Sequence, residues 1–527
     1  MSASVPVLVV GGGPVGLMTA ATLHHHGIAC RIVDKAPQAT DKSKALVLWP
    51  RTLEHLATLG VADDFMPFGL LARGAEMWAG RTRLVQARFE LPGTPFPHPL
   101  MIPQSDTERI LTEHLARNGV PVERSTELVR LADRGDAVEA VLRQPDGTEE
   151  VVRCDWLLGC DGAHSTVRKQ AGVEFVGDFE PNDWMLIDCL IDGPLGADKI
   201  SVFWHRLGVV VFFPFAPSRF RMVADLGRAA GTAHPPTPTL AEAQGLADAR
   251  GPGGLTLRDP VWLAGFRIHE RKVADYRKGR CFLAGDAAHI HSPAGGQGMN
   301  TGMQDAFNLA WKLAQVIRGR AAPELLDTYT PEREAVGRLV LKRAGMMTRM
   351  ATMRNPVAQF FRNRLLGVLG RVTPFPRVLA SNLSQLTINY PNSPLNAADP
   401  GPGFAGGVPP GDRVPDAPLV EPTTHRPTTL HRVTAGTAWT LIFLPETLAG
   451  MADRAGGEKV AAGGVLPAGV PADHVVLDPP GRARALFGAR TATAAVVIRP
   501  DGVVGYRGQP ADEQNLRKYL GHWLVGG

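Results

Sequence analysis

Apolar residues first cluster at Val7 to Val10, give way to glycines, resume over Pro14 to His26 with Gly27 behind them, and cluster again over Ile28 to Val33 before Asp34. A short apolar run bounded by glycine suits a buried strand, and a longer stretch opened by proline and closed by glycine suits a helix. The pattern therefore predicts strand, glycine turn, helix and strand, the rhythm of a parallel sheet wound with crossover helices. Pro6 stands at the entrance of the first strand, where a missing N–H does least harm. A further helix is predicted over Ser105 to Asn118, and a strand over Val151 to Leu158.

Between about 175 and 270 the pattern changes to aromatic-rich strands, Ser201 to Phe215 and Phe220 to Leu226, with few helical signals, which predicts a second, sheet-based layer. A strand over Arg280 to Ala284 and a long helix over Gly298 to Arg318 follow. Met303, Ala306, Ala310, Leu313 and Ile317 recur at steps of three and four, so one face of that helix is predicted to be buried. Met-rich helical sequence continues to about 389, and Pro391 to Pro418 is rich in Pro, Gly and Asp, as an extended connection is. Beyond it, strands at Thr440 to Phe443, Ala494 to Ile498 and Val503 to Arg507, a turn at Pro500-Asp501-Gly502 and a helix over Glu513 to Leu524 predict a small α/β unit.

A chain of 527 residues is too long for one ordinary domain and suggests two to four units at roughly 150 residues each. Its 44% hydrophobic and 20% charged residues are globular proportions. Lys plus Arg at 56 against Asp plus Glu at 51 leaves +5, which makes no case for nucleic acid or membrane as partner. Cys30, Cys154, Cys160, Cys189 and Cys281 form no metal or CxxC pattern and are expected as free thiols. With no leader pattern and no apolar run of about 18 residues, the expected location is the cytoplasm.

Gly11-Gly12-Gly13-Pro14-Val15-Gly16 is a G-x-G-x-x-G loop between predicted strand and helix, with Asp34 eighteen positions beyond Gly16. Gly11 permits the tight turn, Gly13 lets backbone approach a pyrophosphate, and Gly16 lets the helix pack on the strand. The helix N-terminus offers free N–H groups and the positive end of a dipole to phosphates, while Asp34 can accept hydrogen bonds from ribose hydroxyls. Since 58 glycines produce such spacings by chance, it is the register of strand, helix and acid that points to a dinucleotide; it does not separate NAD from FAD.

Gly285-Asp286-Ala287-Ala288-His289, followed by Ser292-Pro293-Ala294-Gly295-Gly296-Gln297-Gly298-Met299-Asn300, ends a strand at an acid and feeds a glycine-rich loop into the long helix. A third constellation is Asp161-Gly162-Ala163-His164-Ser165-Thr166-Val167-Arg168. With these motifs the sequence resembles the single-component FAD-dependent aromatic hydroxylases, the class A flavoprotein monooxygenases that include phenol, hydroxybenzoate and polyketide hydroxylases. The likeness runs over about residues 1 to 340, through Gln104, Arg51-Thr52-Leu53-Glu54 and Leu325 to Tyr329 with Glu332-Arg333. Val497 to Arg507 is similar to part of the thioredoxin-like domain that follows in phenol and polyketide hydroxylases, although no cysteine after Cys281 could serve dithiol chemistry.

The resemblance implies an α/β protein. A Rossmann-type FAD-binding domain, residues 1–175 and 271–390 with a helical segment, is interleaved with a β-sheet substrate domain, 176–270; a linker, 391–418, leads to a thioredoxin-like α/β domain, 419–527. It further implies FAD held by Gly11, Gly13, Val15, Gly16, Asp34, Lys35, Lys44, Gln104, Asp161, Asp286, Pro293, Gly295, Gly296, Gly298, Met299 and Asn300. In that family Asp286 would bind the ribitol, Gln104 would contact the flavin side chain, and the Pro293 loop would lie along the isoalloxazine ring. Asp161 and Arg168 would support both FAD and the nicotinamide cofactor. The N-terminus near Gly298, with donors around Met299 and Asn300, would face flavin N1 and O2 and stabilise the anionic reduced ring. Family members usually carry Arg where this chain has Lys44, a mobile point charge in place of a bidentate fork, and Lys42 is the alternative cation.

No second strand–glycine–helix unit is present, which implies that NADPH or NADH docks briefly at the surface. The expected reaction captures O2 as a flavin C4a-hydroperoxide and passes its distal oxygen to an aromatic, phenolic or polyketide-like small molecule, by a monomer or homodimer and without a metal. Baeyer–Villiger or epoxidising chemistry in natural-product tailoring or antibiotic inactivation is the alternative on this scaffold; a flavin-binding protein without turnover is another. No deprotonating residue is assigned. His205, His269 and His291 are weighed against structural roles, and Arg221 and Arg267 against ion pairs. Trp204, Phe212, Phe213 and Phe215 are expected to include pocket wall, with alternate positions pointing away, and Met346, Met347, Met350 and Met353 to be packing.

Overall fold

The computed structural model describes residues 3–228, 235–372, 374–398, 404, 406–420, 426–444, 481–489 and 494–525. Its first sheet grows from the opening motif. The strand Ala3–Val10 lies between Cys30–Val33 and Glu149–Gly159, parallel to both, and Cys281–Leu283 adds parallel to the far side of Glu149–Gly159. A meander of Glu127–Asp133 and Val138–Arg143 extends Glu149–Gly159 antiparallel. The helix Pro14–His25 and the long helix Gly298–Ile317 pack on this sheet. Val7, Leu8, Val9, Leu17, Ala20, Met303, Ala306, Ala310 and Leu313 are fully buried in one core, where each large apolar side chain is worth about 1.5–3 kcal/mol. Two glycines make this packing possible. Gly11 takes a φ of +113°, and a Cβ on Gly16 would stand 1.8 Å from the Gly11 carbonyl oxygen.

The second sheet has eight strands in the order His289–Ile290, Thr256–Lys272, Val176–Asp192, Arg219–Arg228, Gly208–Ala216, Lys199–His205, Gly74–Ala79 and Thr82–Arg88. It departs from the expected pattern in three places. The apolar run Ser201 to Phe215 is a hairpin, Lys199–His205 paired with Gly208–Ala216 about a turn at Arg206-Leu207, and only Gly208 marks the break. The helix Leu240–Arg250 interrupts a stretch expected to be strands. Its signal was the Thr239/Glu242 capping box, and it buries only the small Ala243 and Ala247. The last two strands come from residues 74–88, so the sheet also draws on the N-terminal part of the chain.

Three helices follow the long one: Tyr329–Ala351, Pro356–Leu369 and Pro374–Leu383. A four-stranded sheet then takes the order Ala397–Ala398, Val504–Gly508, Ala494–Ile498 and Thr440–Leu444, with the helix Glu513–Trp523 behind it. Described residues of the proline- and glycine-rich stretch 391–418 pack against this sheet. Ala397 and Ala398 pair with Tyr506 and Arg507, and Leu395 is buried beside Trp311 and Trp439. Positions 399–403 and 405 of that stretch, and 421–425, 445–480, 490–493 and 526–527 beyond it, lie outside the described residues. All five cysteines are free thiols, each pushed up to about 12 by burial. Among the described residues no helix is long and apolar enough to cross a membrane.

Candidate active site

Three loops distant in sequence leave the same edge of the parallel sheet, at the carboxyl ends of Ala3–Val10, Glu149–Gly159 and Cys281–Leu283, where open α/β sheets bind ligands. They touch. A Cβ on Gly11 would lie 2.3 Å from the Cys160 carbonyl oxygen, and Val15 is wedged between Gly285 and Gly302, where a Cβ on either would meet its methyl at 2.7 Å. Arg168 ties the second loop to the third, donating to the carbonyls of Ala163 at 2.8 Å and Ala287 at 2.9 Å while stacking on Phe175.

The groups left facing outward suit a flavin dinucleotide. A Cβ on Gly13 would meet nothing within 4 Å, so the glycine loop is open on the side where a diphosphate would lie against the first helix. Asp34 accepts from Gly12 N–H at 2.5 Å and Ala36 N–H at 2.7 Å, and lone pairs remain on both oxygens for hydroxyl donors. Asp286 makes no hydrogen bond to a described residue and is solvent-accessible, yet surrounding protein mass raises its carboxyl; His289 and Lys44 pull against that rise. An accessible carboxylate without a protein hydrogen bond, near one cation, fits a ribitol. Of the two candidate lysines, Lys44 is the one whose charge reaches Asp286. Lys35 is exposed and lines a shallow cleft with Ser125, Glu127 and Arg143.

Several predicted site residues turn their side chains to the protein and hold the loops in place. Gln104 accepts from Ala45 N–H at 3.1 Å and donates to Glu108 at 2.9 Å, which fastens the segment carrying Lys44. Asp161 accepts from the backbone N–H groups of Thr166 and Val167 through one oxygen; its other oxygen is buried without a protein partner. Asn300 accepts from Trp49 N–H at 2.8 Å and donates to the carbonyls of Val47 and Gly296, and Trp49 donates to the carbonyls of Gly295 and Gly296. The turn Pro293 to Gly296, with Gly295 and Gly296 both at positive φ, is thereby fixed at the head of the long helix. The N–H groups of Gly298, Met299 and Asn300 are first-turn donors that a helix leaves without internal partners.

Sequence reasoning missed the residue that anchors the Asp286 loop. Asp305 is fully buried and accepts from Gly285 N–H at 3.0 Å, from Arg333 at 2.6 Å and, across 2.7 Å, shares a hydrogen bond with His289. Burial alone would raise its carboxyl; Arg333 and His289 outweigh burial and hold it below the usual range. A signal existed. Asp305 and Lys312 are the only charged residues in Gly298–Ile317, and isolated charges in an apolar helix are almost never buried unless paired.

The remaining candidates separate clearly. Arg221 grips Asp188 with two bonds of 2.7 Å, and Arg267 binds Asp183, so both make ion pairs within the sheet. Phe212 faces Ala243 and Ala247, whereas Trp204, Phe213 and Phe215 belong to clusters on the other face, those of Phe213 and Phe215 including Trp49, Val47 and Leu383. His269 is exposed, and His205 accepts from Leu207 N–H.

His291 donates from Nδ1 to the Ser292 carbonyl at 2.7 Å, and its buried Nε2 has no protein partner beside Gly298. Burial, then His289, pushes it down to about 4. The unfolded chain therefore binds a proton near 6.5 that the folded one refuses until about pH 4, so acid weakens the fold across that window, by about 2 kcal/mol at pH 5. Thermal midpoints measured at pH 7.5 and 5 should converge in His291→Asn relative to the parent; an unchanged gap overturns this.

The FAD binding domain family model matches residues 4–344. The chain is 38% identical over 535 aligned positions to 6-methylpretetramide 4-monooxygenase of Streptomyces rimosus, covering 98% of this chain and 92% of that one. It is 38% identical to pentachlorophenol 4-monooxygenase of Sphingobium chlorophenolicum over 65% of this chain and 64% of that one. It is also similar to the solved structure of the anhydrotetracycline hydroxylase OxyS from Streptomyces rimosus, with a TM-score of 0.76, 28% identity and 99% of both chains covered.

Proposed function

Because the chain belongs to the FAD-binding-domain family of aromatic monooxygenases, we propose that it hydroxylates an electron-rich ring of a polyketide-like or phenolic molecule, using FAD, NADPH or NADH, and O2. The observation that carries this is the Asp286 carboxylate, accessible and without a protein hydrogen bond, near Lys44 where the three loops meet. Relatives named for 6-methylpretetramide, pentachlorophenol and anhydrotetracycline support a phenolic or polycyclic substrate.

When bound, the flavin supplies the electron transfer to oxygen and the delivery of one oxygen atom. The chain's own residues position and shield. Asp34 and Asp286 would accept hydrogen bonds from hydroxyls of the two sugar chains, Gly13 and the first helix N-terminus would meet the diphosphate, and Lys44 would add positive charge beside Asp286. The first-turn N–H groups of Gly298, Met299 and Asn300 would stabilise negative charge on a flavin ring bound at the head of this helix. Phe213 and Phe215, together with Trp49 and Leu383, wall the site and exclude water. His291 Nε2, kept neutral, is a hydrogen-bond acceptor there and too weak a base to hold a proton at neutral pH.

The test follows NADPH oxidation and product mass together, with isotopically labelled oxygen and a panel of polyhydroxylated aromatics. One labelled ring hydroxyl per NADPH consumed is expected with the correct substrate. Label between a carbonyl and a ring carbon overturns hydroxylation in favour of Baeyer–Villiger chemistry.

A further inference from the structure

A chain-wide charge of +5 hides a strong local imbalance. Between Glu334 and Asp399 there are nine Lys or Arg and no Asp or Glu, so the rest of the molecule is net negative. This stretch contains the helix Pro356–Leu369, which packs on Thr82–Arg88 by one face only. Its opposite face presents Val357, Phe360, Phe361, Leu365 and Val368, and Val372 prolongs the stripe. The spacing follows one side of a helix, and Phe360 and Phe361 are 56% and 65% exposed. Arg364, Arg371 and Arg377 are exposed around it and make no ion pair with a described residue; Arg364 lies over the Phe360 ring.

We propose that this face is a docking surface for an anionic lipid bilayer, on which the Pro356–Leu369 helix lies flat with its apolar stripe among the acyl chains and its arginines at the headgroups. A helix with a large apolar ridge and a basic border is the form that interfacial attachment takes. Its 14 residues reach about 21 Å, too short to span a bilayer and long enough to lie on one. A second copy of the chain is disfavoured as occupant, because an isologous contact would set this uncompensated positive face against its own image. The neighbouring helix Pro374–Leu383 leads into the active site: Gln297 of the flavin loop donates to the carbonyls of Asn382 and Leu383. Attachment here therefore holds the substrate-binding side of the molecule near the lipid.

Each exposed arginine near an anionic surface raises partitioning about fivefold, so three give a factor on the order of 100. The FAD-loaded full-length protein should pellet with phosphatidylglycerol vesicles, stay in the supernatant with phosphatidylcholine vesicles, and be released as salt rises. Phe360→Ser with Phe361→Ser should cut partitioning more than about tenfold while thermal midpoint and flavin absorbance stay unchanged. Arg364→Glu with Arg371→Glu should erase the preference for phosphatidylglycerol. The proposal falls if phosphatidylglycerol vesicles leave the protein in solution, in which case an acidic protein becomes the better partner. It falls equally if the double serine variant binds as the parent does, or if sedimentation shows a parent dimer that the same variant dissolves.

Discussion

Asp286→Ala should purify nearly colourless, with FAD affinity reduced about 10- to 100-fold, the cost of losing hydrogen bonds to a charged acceptor at about 1.5–3 kcal/mol. The flavin-to-protein absorbance ratio after desalting reads this directly. The backbone should survive, because Asp286 makes no hydrogen bond to a described residue and the loop around it is held by Asp305 through Gly285. Asp286→Asn, which keeps one acceptor, should retain more flavin than alanine does. Full occupancy in the alanine variant would place the ribitol elsewhere. Acid should mimic the substitution: the raised Asp286 carboxyl takes up a proton at higher pH than an ordinary aspartate, so flavin release should begin earlier on acidification than for a carboxylate with an ordinary pKa.

The second large effect is expected where the long helix meets the C-terminal sheet. Glu332 sits fully buried between Arg499, which binds both its oxygens at 2.6 and 3.0 Å, and Lys312 at 2.7 Å. Asn308 and Ser393 bond it too, and Arg499 also grips Asp501. Burial pulls Lys312 down to about 8 against the opposing charge of Glu332. Glu332→Ala leaves Lys312 buried without its anion and Arg499 with Asp501 alone, and should cost about 3–5 kcal/mol, read as a lower unfolding midpoint and faster thermal inactivation. Replacing Glu332, Lys312, Arg499 and the Asp501 that Arg499 also pairs, all together, with apolar residues of similar volume should recover much of that loss, because the penalty lies in the unpaired charge and not in the missing ions. Additive losses across the four substitutions would contradict this account.

The parts of the fold written by local pattern could be read from the chain. Strand, glycine loop and helix at Val7 to His25 follow from apolar periodicity and from glycines that backbone contact demands, and the acid at 286 stands out because a buried strand ends on it. What escaped were partnerships set by tertiary geometry. Asp305 and Lys312 look alike as lone charges on one helix, yet the first steadies the loop of Gly285 and Asp286 and the second reaches toward the C-terminal sheet. Gln104, expected beside the flavin, also clasps Ala45 and Glu108, a pair of contacts that no local pattern shows because they depend on a loop folded back from sixty residues away. The strands of residues 74–88 joined the second sheet for the same reason: pairing partners so distant leave no mark in local alternation.

Trp311 and Trp439 meet edge to face at 5.7 Å, so the long helix and the C-terminal sheet share one side-chain layer, with Leu395 and Tyr519 completing it. Chimeras between relatives should accordingly fail when the tail alone is exchanged near residue 391, and succeed when positions 311, 312 and 332 travel with it. The heritable unit at this end of the protein is a joint with two halves, and recombination that respects the joint can vary everything outside it.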